Sequence, residues 1–209
     1  MRKIFCSLTV ALSFGGIIGC SQSPVGTKAN PLKLMFIPYA ESQTIATHTE
    51  KITGFLQKSL SRKMLNADEG FYVKASVPTS YVAVVEAFAS KRADLSSMTT
   101  FAYLLAKDIR KAPVEAIVTV ERIPDGSQYK AAIITRADSP IKTIQDLKGK
   151  RFAYADPAST SGFILPSKLF KDEKIELGET MFAGRHDIVV MMVLQKQVDA
   201  GAIFYSSPG

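Results

Sequence analysis

The apolar positions of this chain follow two spacings, one typical of strands and one typical of helices. Short apolar runs bounded by turn-forming residues predict strands, and apolar residues three and four positions apart predict helices. The predicted strands are 33–37, 71–77, 93–97, 116–121, 129–135, 151–155 and 200–205. The predicted helices are 50–64, one capped by Thr79 or Ser80, one through 103–105, 144–147, one opened by 159–162, and one near 187–197. This alternation predicts an α/β fold with ligands at the carboxyl ends of parallel strands.

The turn after the strand 151–155 carries the strongest chemical signal in the sequence. Asp156-Pro157 ends the strand, and Ser159, Thr160, Ser161 and Gly162 open a helix. Free N–H groups at a helix start, three hydroxyls and a glycine that permits close approach form a seat for an anion. The alternative is an ordinary helix cap. Pro166 predicts a short turn followed by a kink or a fresh helix start.

The N-terminus predicts export. Arg2 and Lys3 precede an apolar stretch, 4–18, which is short for a membrane span and typical of a signal peptide. The run 17–20 resembles a bacterial lipobox, so we expect Cys20 to carry lipid after removal of residues 1–19, with 20–31 as a tether. An uncleaved anchor or an ordinary signal peptide are the alternatives. Because the other cysteine, Cys6, lies in the signal, we expect no disulfide and no cysteine-based metal site in the mature chain.

Composition and charge narrow the class of protein. The 209 residues are 46% hydrophobic, which is ample for a core, and the net charge is +7. Without the signal the charge would be about +5, spread over the chain and without aromatic residues between the basic ones. Nucleic-acid binding is therefore not supported, whereas a mildly basic cleft is compatible with an anionic ligand.

Two segments of the chain resemble each other. Residues 87–98 and 193–204 both run from a helix end through a basic residue and an aspartate into an apolar strand, with Asp94 and Asp199 in matching places. Chance combined with common helix-to-strand chemistry is one explanation. The other is a pair of similar α/β lobes, each with one copy.

The chain resembles the phosphonate-binding periplasmic solute-binding proteins of ABC importers. The stretches that carry this resemblance are 81–106 (YVAVVEAFASKRADLSSMTTFAYLLA), 126–162 (GSQYKAAIITRADSPIKTIQDLKGKRFAYADPASTSG) and 184–204 (GRHDIVVMMVLQKQVDAGAIF). The resemblance implies that the turn 159–162 grips the ligand's oxygens, that His186 makes a second contact, and that Tyr81 and Tyr103 form the wall of lobe one. Packing alone is the alternative for both tyrosines, and helix capping for His186.

The resemblance also implies a fold and a function. The fold would be the type II two-lobe α/β fold, with lobe one at 32–115, a hinge crossing at 116–123 and lobe two at 124–209. The protein would bind a phosphonate, phosphite or related oxyanion for an ABC permease, held to a cell-envelope membrane by lipid, with no cofactor, metal or catalytic residue. The alternatives are an enzyme on this fold, akin to pyrimidine- or thiamine-precursor synthases, and a sensory or structural lipoprotein with impaired ligand binding.

Two departures from the family bear on these expectations. The sequence ends at Gly209, where relatives continue into elements that return to lobe one and complete it, so we expect lobe one to be incomplete. Relatives that bind aminoalkylphosphonates place acids after the last strand, whereas Tyr205-Ser206-Ser207 follows here, which argues against an amine-bearing ligand. We expect Asp94 and Asp199 to be structural, because an acid facing an anion would repel it.

Overall fold

The computed structural model describes residues 23–121 and 126–206. The predicted signal peptide, the lipidation site Cys20 and residues 122–123 of the predicted hinge lie outside these ranges. The strands are β1 (Leu32–Met35), β2 (Val73–Ser76), β3 (Leu95–Ser96), β4 (Lys130–Thr135), β5 (Phe152–Tyr154), β6 (Thr180–Phe182) and β7 (Ala200–Tyr205). The α-helices are α1 (Ser42–Leu65), α2 (Tyr81–Ala89), α3 (Thr100–Leu104), α4 (Leu165–Asp172) and α5 (His186–Leu194). Shorter helical turns are Leu105–Ile109, Gln145–Leu147 and Thr160–Ile164.

The strands form two separate sheets, one for each half of the chain. The first is parallel with the order β2-β1-β3. The second has the order β4-β7-β5-β6, in which β5 lies parallel to β6 and β7, and β4 runs antiparallel to β7. The architecture is therefore the predicted two-lobe α/β fold, and we call the halves that carry the two sheets lobe one and lobe two.

Strand β5 is the centre of lobe two because both of its faces are buried. Phe152 and Tyr154 point to one face and pack with Phe170 of α4, while Ala153 points to the other and packs with Val189 and Val193 of α5. Alternating side chains on a strand necessarily face opposite sides. Helices thus cover both faces of this sheet, and the turn that follows β5 begins from a rigid base.

The predicted strand at 116–121 is wrong. Residues 110–121 have no regular structure, and the side chains of Ile117, Val118 and Val120 are exposed. The β-branched residues there satisfy a strand's propensity, but a strand also needs a ladder partner for its backbone groups. No such partner pairs with this segment among the residues that the structure describes.

Other boundaries differ in instructive ways. Helix α1 begins at Ser42, eight positions before the predicted start. The prediction missed its first two turns because they are mostly polar and lack apolar periodicity. Strand β6 was not predicted from the sequence. The turn Thr160–Ile164 is a wide π-helical turn, and α4 starts afresh at Leu165 with Pro166 in its first turn, as expected from the proline. No helix in the described ranges is both long and apolar enough to cross a bilayer.

Candidate oxyanion-binding site

The turn after β5 is held in shape by its own side chains. Asp156 Oδ1 accepts the Ala158 N–H at 2.8 Å, and Ser159 N donates to the Asp156 carbonyl at 2.8 Å. Ser159 is the N-cap, since its Oγ accepts the Gly162 N–H at 3.0 Å. Thr160 and Ser161, as the first residues of the turn, have no intrahelical partner for their N–H groups. These two groups are the donors that an anion would use.

The three hydroxyls of this turn, equivalent in the sequence, have different surroundings in the structure. Ser159 Oγ is buried and occupied by the cap. Thr160 Oγ1 accepts the N–H of Phe101, in lobe one, at 2.9 Å. The Ser161 hydroxyl makes no hydrogen bond to any of the described residues. The side chain of Ser161 is also buried, so Ser161 is the hydroxyl of this turn that is buried without a partner among the described residues, whereas Thr160 joins the two lobes.

Gly162 is required by the packing around it. A Cβ at this position would lie 2.5 Å from the Ala155 Cβ, 2.9 Å from His186 Cε1 and 2.9 Å from Ser159 Oγ. Carbon contacts this short do not occur in folded proteins, so a side chain here would displace the cap or the imidazole. The glycine thus brings β5, the turn and α5 together.

His186 lies against this turn at the start of α5. Its Nε2 is 3.4 Å from Ser159 Oγ, and its ring packs edge-on against Phe204. Ser159 Oγ, which accepts the Gly162 N–H, can donate its own proton to Nε2; in that tautomer the imidazole proton lies on Nδ1. Nδ1 is buried and has no hydrogen-bond partner among the residues described. Burial lowers the pKa of His186 to about 4, with Asp187 opposing the change, so the ring is neutral.

Tyr81 approaches the same turn from lobe one. Its side chain is fully buried at the start of α2, and its hydroxyl makes no hydrogen bond of normal geometry within the described ranges. Burial, and secondarily the charge of Asp156, raises the pKa of Tyr81 above its ordinary value, while the nearby Ser159 hydroxyl has the opposite effect. A buried phenol that lacks a partner costs free energy, so a ligand oxygen would be favourable here.

Backbone and side-chain contacts join the lobes around the site. Thr99 Oγ1, which caps α3, donates to the Ala158 carbonyl at 3.1 Å. The Tyr81 N–H donates to Asp156 Oδ2 at 3.2 Å, and the His186 N–H donates to the Tyr39 carbonyl at 3.2 Å. The seat thus lies where the lobes meet.

The structure therefore gathers six of the seven predicted binding residues: Ser159, Thr160, Ser161, Gly162, His186 and Tyr81. The seventh, Tyr103, lies on α3 with its hydroxyl accepting from Lys107 Nζ at 3.2 Å on an exposed surface. No hydrogen bond joins Tyr103 to the other six among the described residues, so its part in binding stays a prediction.

Sequence reasoning did not find Asp156, Tyr39 or Thr99 as site residues. Each acts across the lobe interface, and the only sequence signal was the position of Tyr39 and Asp156 just after a strand. Asp94 and Asp199 are structural, as expected. Asp94 Oδ2 accepts the Lys33 N–H at 2.8 Å, and Asp199 Oδ2 accepts the Arg151 N–H at 3.0 Å.

Comparison with known proteins identifies the family. The profile of the ABC transporter phosphonate periplasmic substrate-binding proteins matches residues 34–207. The chain belongs to this family, whose members are substrate-binding proteins of the periplasm. It is 30% identical over 155 residues to a phosphate-import protein of Mycolicibacterium smegmatis, which covers 68% of this chain and 48% of that protein. It is also 27% identical to a probable phosphite-binding protein of Prochlorococcus marinus, over 87% of this chain and 61% of that one.

Solved structures support the same fold. The Prochlorococcus marinus protein PhnD1, in complex with methylphosphonate, superposes with a TM-score of 0.66 at 24% identity, covering 82% of this chain and 62% of that one. A binding component of a phosphonate transporter from Pseudomonas aeruginosa gives 0.65 at 21% identity, over 87% and 57%. The chain thus spans about half to three fifths of the length of these relatives.

Proposed function

We propose that this chain binds a phosphonate, phosphite or related small oxyanion as the substrate-binding component of an ABC importer. The observation that carries the proposal is the convergence of uncommitted donors at the lobe interface. The N–H groups of Thr160 and Ser161, the Ser161 hydroxyl, His186 Nδ1 and the Tyr81 hydroxyl lie around one turn. Three oxygens at a tetrahedral centre match such a set, and the names of the relatives agree with it.

The nearby acid does not contradict an anionic ligand. Asp156 is the carboxylate that borders the turn, and both of its oxygens accept backbone N–H groups, from Ala158 and Tyr81. Its charge is therefore partly neutralised by fixed dipoles. Both oxygens of the Asp156 carboxylate already accept hydrogen bonds, so the ligand would contact the N–H and O–H donors of the turn.

Binding without catalysis is the reading that the geometry favours. Ser159 and His186 resemble a nucleophile and its base, but Ser159 Oγ is fully buried and committed to the cap. No acid orients His186 Nδ1 within the part of the chain that the structure describes. A hydrolytic pair needs an accessible nucleophile and an oriented base. The protein would act by holding its ligand between lobes that close on it.

The proposal extends to the arrangement of the chain in the cell. Residues 1–19 would direct export, Cys20 would carry lipid, and 20–31 would tether lobe one (32–115), the crossing (116–123) and lobe two (124–209) to the periplasmic face of a membrane. Replacing Cys20 with alanine should abolish incorporation of labelled fatty acid and release the protein. Equal labelling of the Cys20→Ala protein would contradict the anchor.

The direct test of the function is isothermal titration calorimetry with methylphosphonate, phosphite, phosphate and sulfate. We expect saturable binding of at least one phosphorus oxyanion and weaker binding of sulfate. 2-Aminoethylphosphonate should bind less well than methylphosphonate, because Ser206, which follows β7, is not an acid that could hold its amine. Absence of binding to all four oxyanions by folded protein would contradict the proposal.

A further inference from the structure

Two N–H groups cross between the lobes in opposite directions. Tyr81, the first residue of α2 in lobe one, donates to Asp156 Oδ2 of lobe two at 3.2 Å. His186, the first residue of α5 in lobe two, donates to the Tyr39 carbonyl of lobe one at 3.2 Å. Each helix therefore begins on the turn that follows a central strand of the opposite lobe.

Helices α2 and α5 occupy equivalent places in the two lobes. At their C-terminal ends the Ser90 N–H donates to the Glu86 carbonyl, and the Gln195 N–H donates to that of Met191. The next residues, Lys91 and Lys196, both have left-handed backbones, with φ of 56° and 62°. The aspartates that follow bond in the same way to the neighbouring central strand. Tyr81 and His186 are therefore counterparts.

The two crossing bonds differ in their acceptors. Tyr39 contributes a backbone carbonyl, whereas Asp156 contributes a carboxylate that is only 3% exposed. The first N–H of a helix has no intrahelical partner, so the Tyr81 N–H depends on Asp156 alone. The positive end of the helix dipole also favours a carboxylate at this place. One side chain of lobe two thus accepts the hydrogen bond of the first N–H group of a helix in lobe one.

We propose that Asp156 is a positioning residue that fastens the start of α2 to lobe two and so holds the Tyr81 hydroxyl beside the anion seat. This inference rests on the proposed function, because it names the residue that completes the same site from the opposite lobe. Asp156 does not touch the ligand, since its two oxygens are taken by Ala158 and Tyr81. Its effect passes through the Tyr81 backbone to the buried phenol.

The alternative is a purely local role, in which Asp156 only stabilises its own turn by accepting the Ala158 N–H. Asparagine makes the same local turn, but the Ala158 and Tyr81 N–H groups reach different carboxylate oxygens, and asparagine replaces one of these with an NH2 group that cannot accept. Asp156→Asn therefore retains the size of the side chain and the option of the local bond while weakening one of the two contacts. Asp156→Ala removes both.

The test is amide hydrogen exchange by NMR on the full chain without ligand. In Asp156→Ala we expect the Tyr81 amide to exchange about ten- to hundredfold faster, as for a lost bond to a charged group. The His186 amide should also exchange faster, because the lobes separate more readily. Asp156→Asn should lie between this protein and the wild type. The matched control is Asp94→Ala, which removes a bond to the Lys33 N–H within lobe one and should leave both amides protected.

Binding provides the second readout. Asp156→Ala should bind methylphosphonate about ten- to hundredfold more weakly, whereas Asp94→Ala should bind as the wild type does. Unchanged exchange of the Tyr81 amide in Asp156→Ala, or faster exchange at Tyr81 with His186 still protected, would overturn the inference. A wild-type chain that binds none of the oxyanions would refute the proposed function, while the exchange data would still decide the role of Asp156.

Discussion

Lobe one and lobe two place a strand, a turn and a helix in the same order, yet only lobe two carries the proposed anion seat. In both, a central strand with parallel neighbours on each side leads through a short turn into a helical segment. In lobe one Glu41 stands at the helix start and makes no side-chain cap, whereas in lobe two Ser159 caps the turn. An exposed acid repels the ligand that hydroxyls and free N–H groups attract. The two lobes thus share the strand–turn–helix arrangement, and the three or four residues at the helix start determine whether it could bind an anion.

The lobes also differ in how well they are covered. All three residues of β5 are buried, whereas β1 has a single buried residue, and α1 exposes Ile52 and Phe55. Burial of apolar area is the dominant source of folding free energy. Lobe two is therefore the more stable part of the described structure, and lobe one the part in which the site is easier to disturb.

The largest expected effect is the loss of stability when a core side chain beneath the proposed anion seat is removed. Phe152 is fully buried and packs against Tyr154 and Phe170, with ring centroids at 4.9 and 5.2 Å. Phe152→Ala should lower the free energy of unfolding by about 3–5 kcal/mol, measured by urea denaturation. The matched control in lobe one is Phe55→Ala, whose side chain is exposed and should matter by less than about 0.5 kcal/mol. Equal losses would contradict the difference in burial between the lobes.

The second prediction concerns pH. The folded-state pKa of His186, about 4, lies below the ordinary value of 6.5. A base whose pKa is depressed by folding stabilises the fold above its unfolded pKa, and this stability is lost as the pH falls from about 6.5 to 4. The shift corresponds to a loss on the order of 3 kcal/mol at the acid end.

Urea denaturation at several pH values measures this effect. His186→Gln should remove most of the slope between pH 6.5 and 4, while His48→Gln, on the exposed face of α1, should leave it unchanged. A slope that persists in His186→Gln would show that other groups cause it. An anion bound at the seat should favour a protonated ring, so calorimetry in buffers of different ionisation enthalpy should detect proton uptake.

The third prediction separates the two turns directly. Ser161→Ala removes the hydroxyl with no bond to described residues, so affinity for methylphosphonate should fall about ten- to hundredfold with the fold intact. Gln43→Ala, at the corresponding place in lobe one, should bind as the wild type does. Thr160→Ala is less specific, because the Phe101 N–H would lose its acceptor as well. Unaltered affinity in folded Ser161→Ala would remove this serine from the site.

The smallest expected effect tests the equivalence of α2 and α5. Lys91 and Lys196 both adopt positive φ at the helix end, where glycine is the favoured residue. Lys91→Gly and Lys196→Gly should each stabilise the protein slightly, by about 0.5 kcal/mol, because relief of strain exceeds the entropy lost by glycine. Thermal melting should give similar gains for both. Opposite signs would show that the two caps are not equivalent.

The sequence predicted whatever depends on local pattern. Strand β7 follows from its own run of apolar residues, and α5, predicted near 187–197, follows from apolar residues at helical spacing. The similarity of 87–98 to 193–204 corresponds to matching bonds at Asp94 and Asp199. The segment 116–121 has strand propensity, but pairing needs a neighbour that propensity does not supply. The roles of Tyr39, Thr99 and Asp156 depend on contacts between residues far apart in sequence, which no single-segment pattern contains.

Gly162 has a consequence for how this site changes over evolution. The Ser161 hydroxyl, proposed to hold the ligand, can be exchanged when the ligand changes, but the glycine is confined by Ala155, Ser159 and His186. Packing therefore requires glycine at this position whatever ligand the protein binds, so relatives with other ligands would keep it. In a comparison of relatives, the glycine would mark common ancestry of the lobe, and position 161 would vary with the ligand.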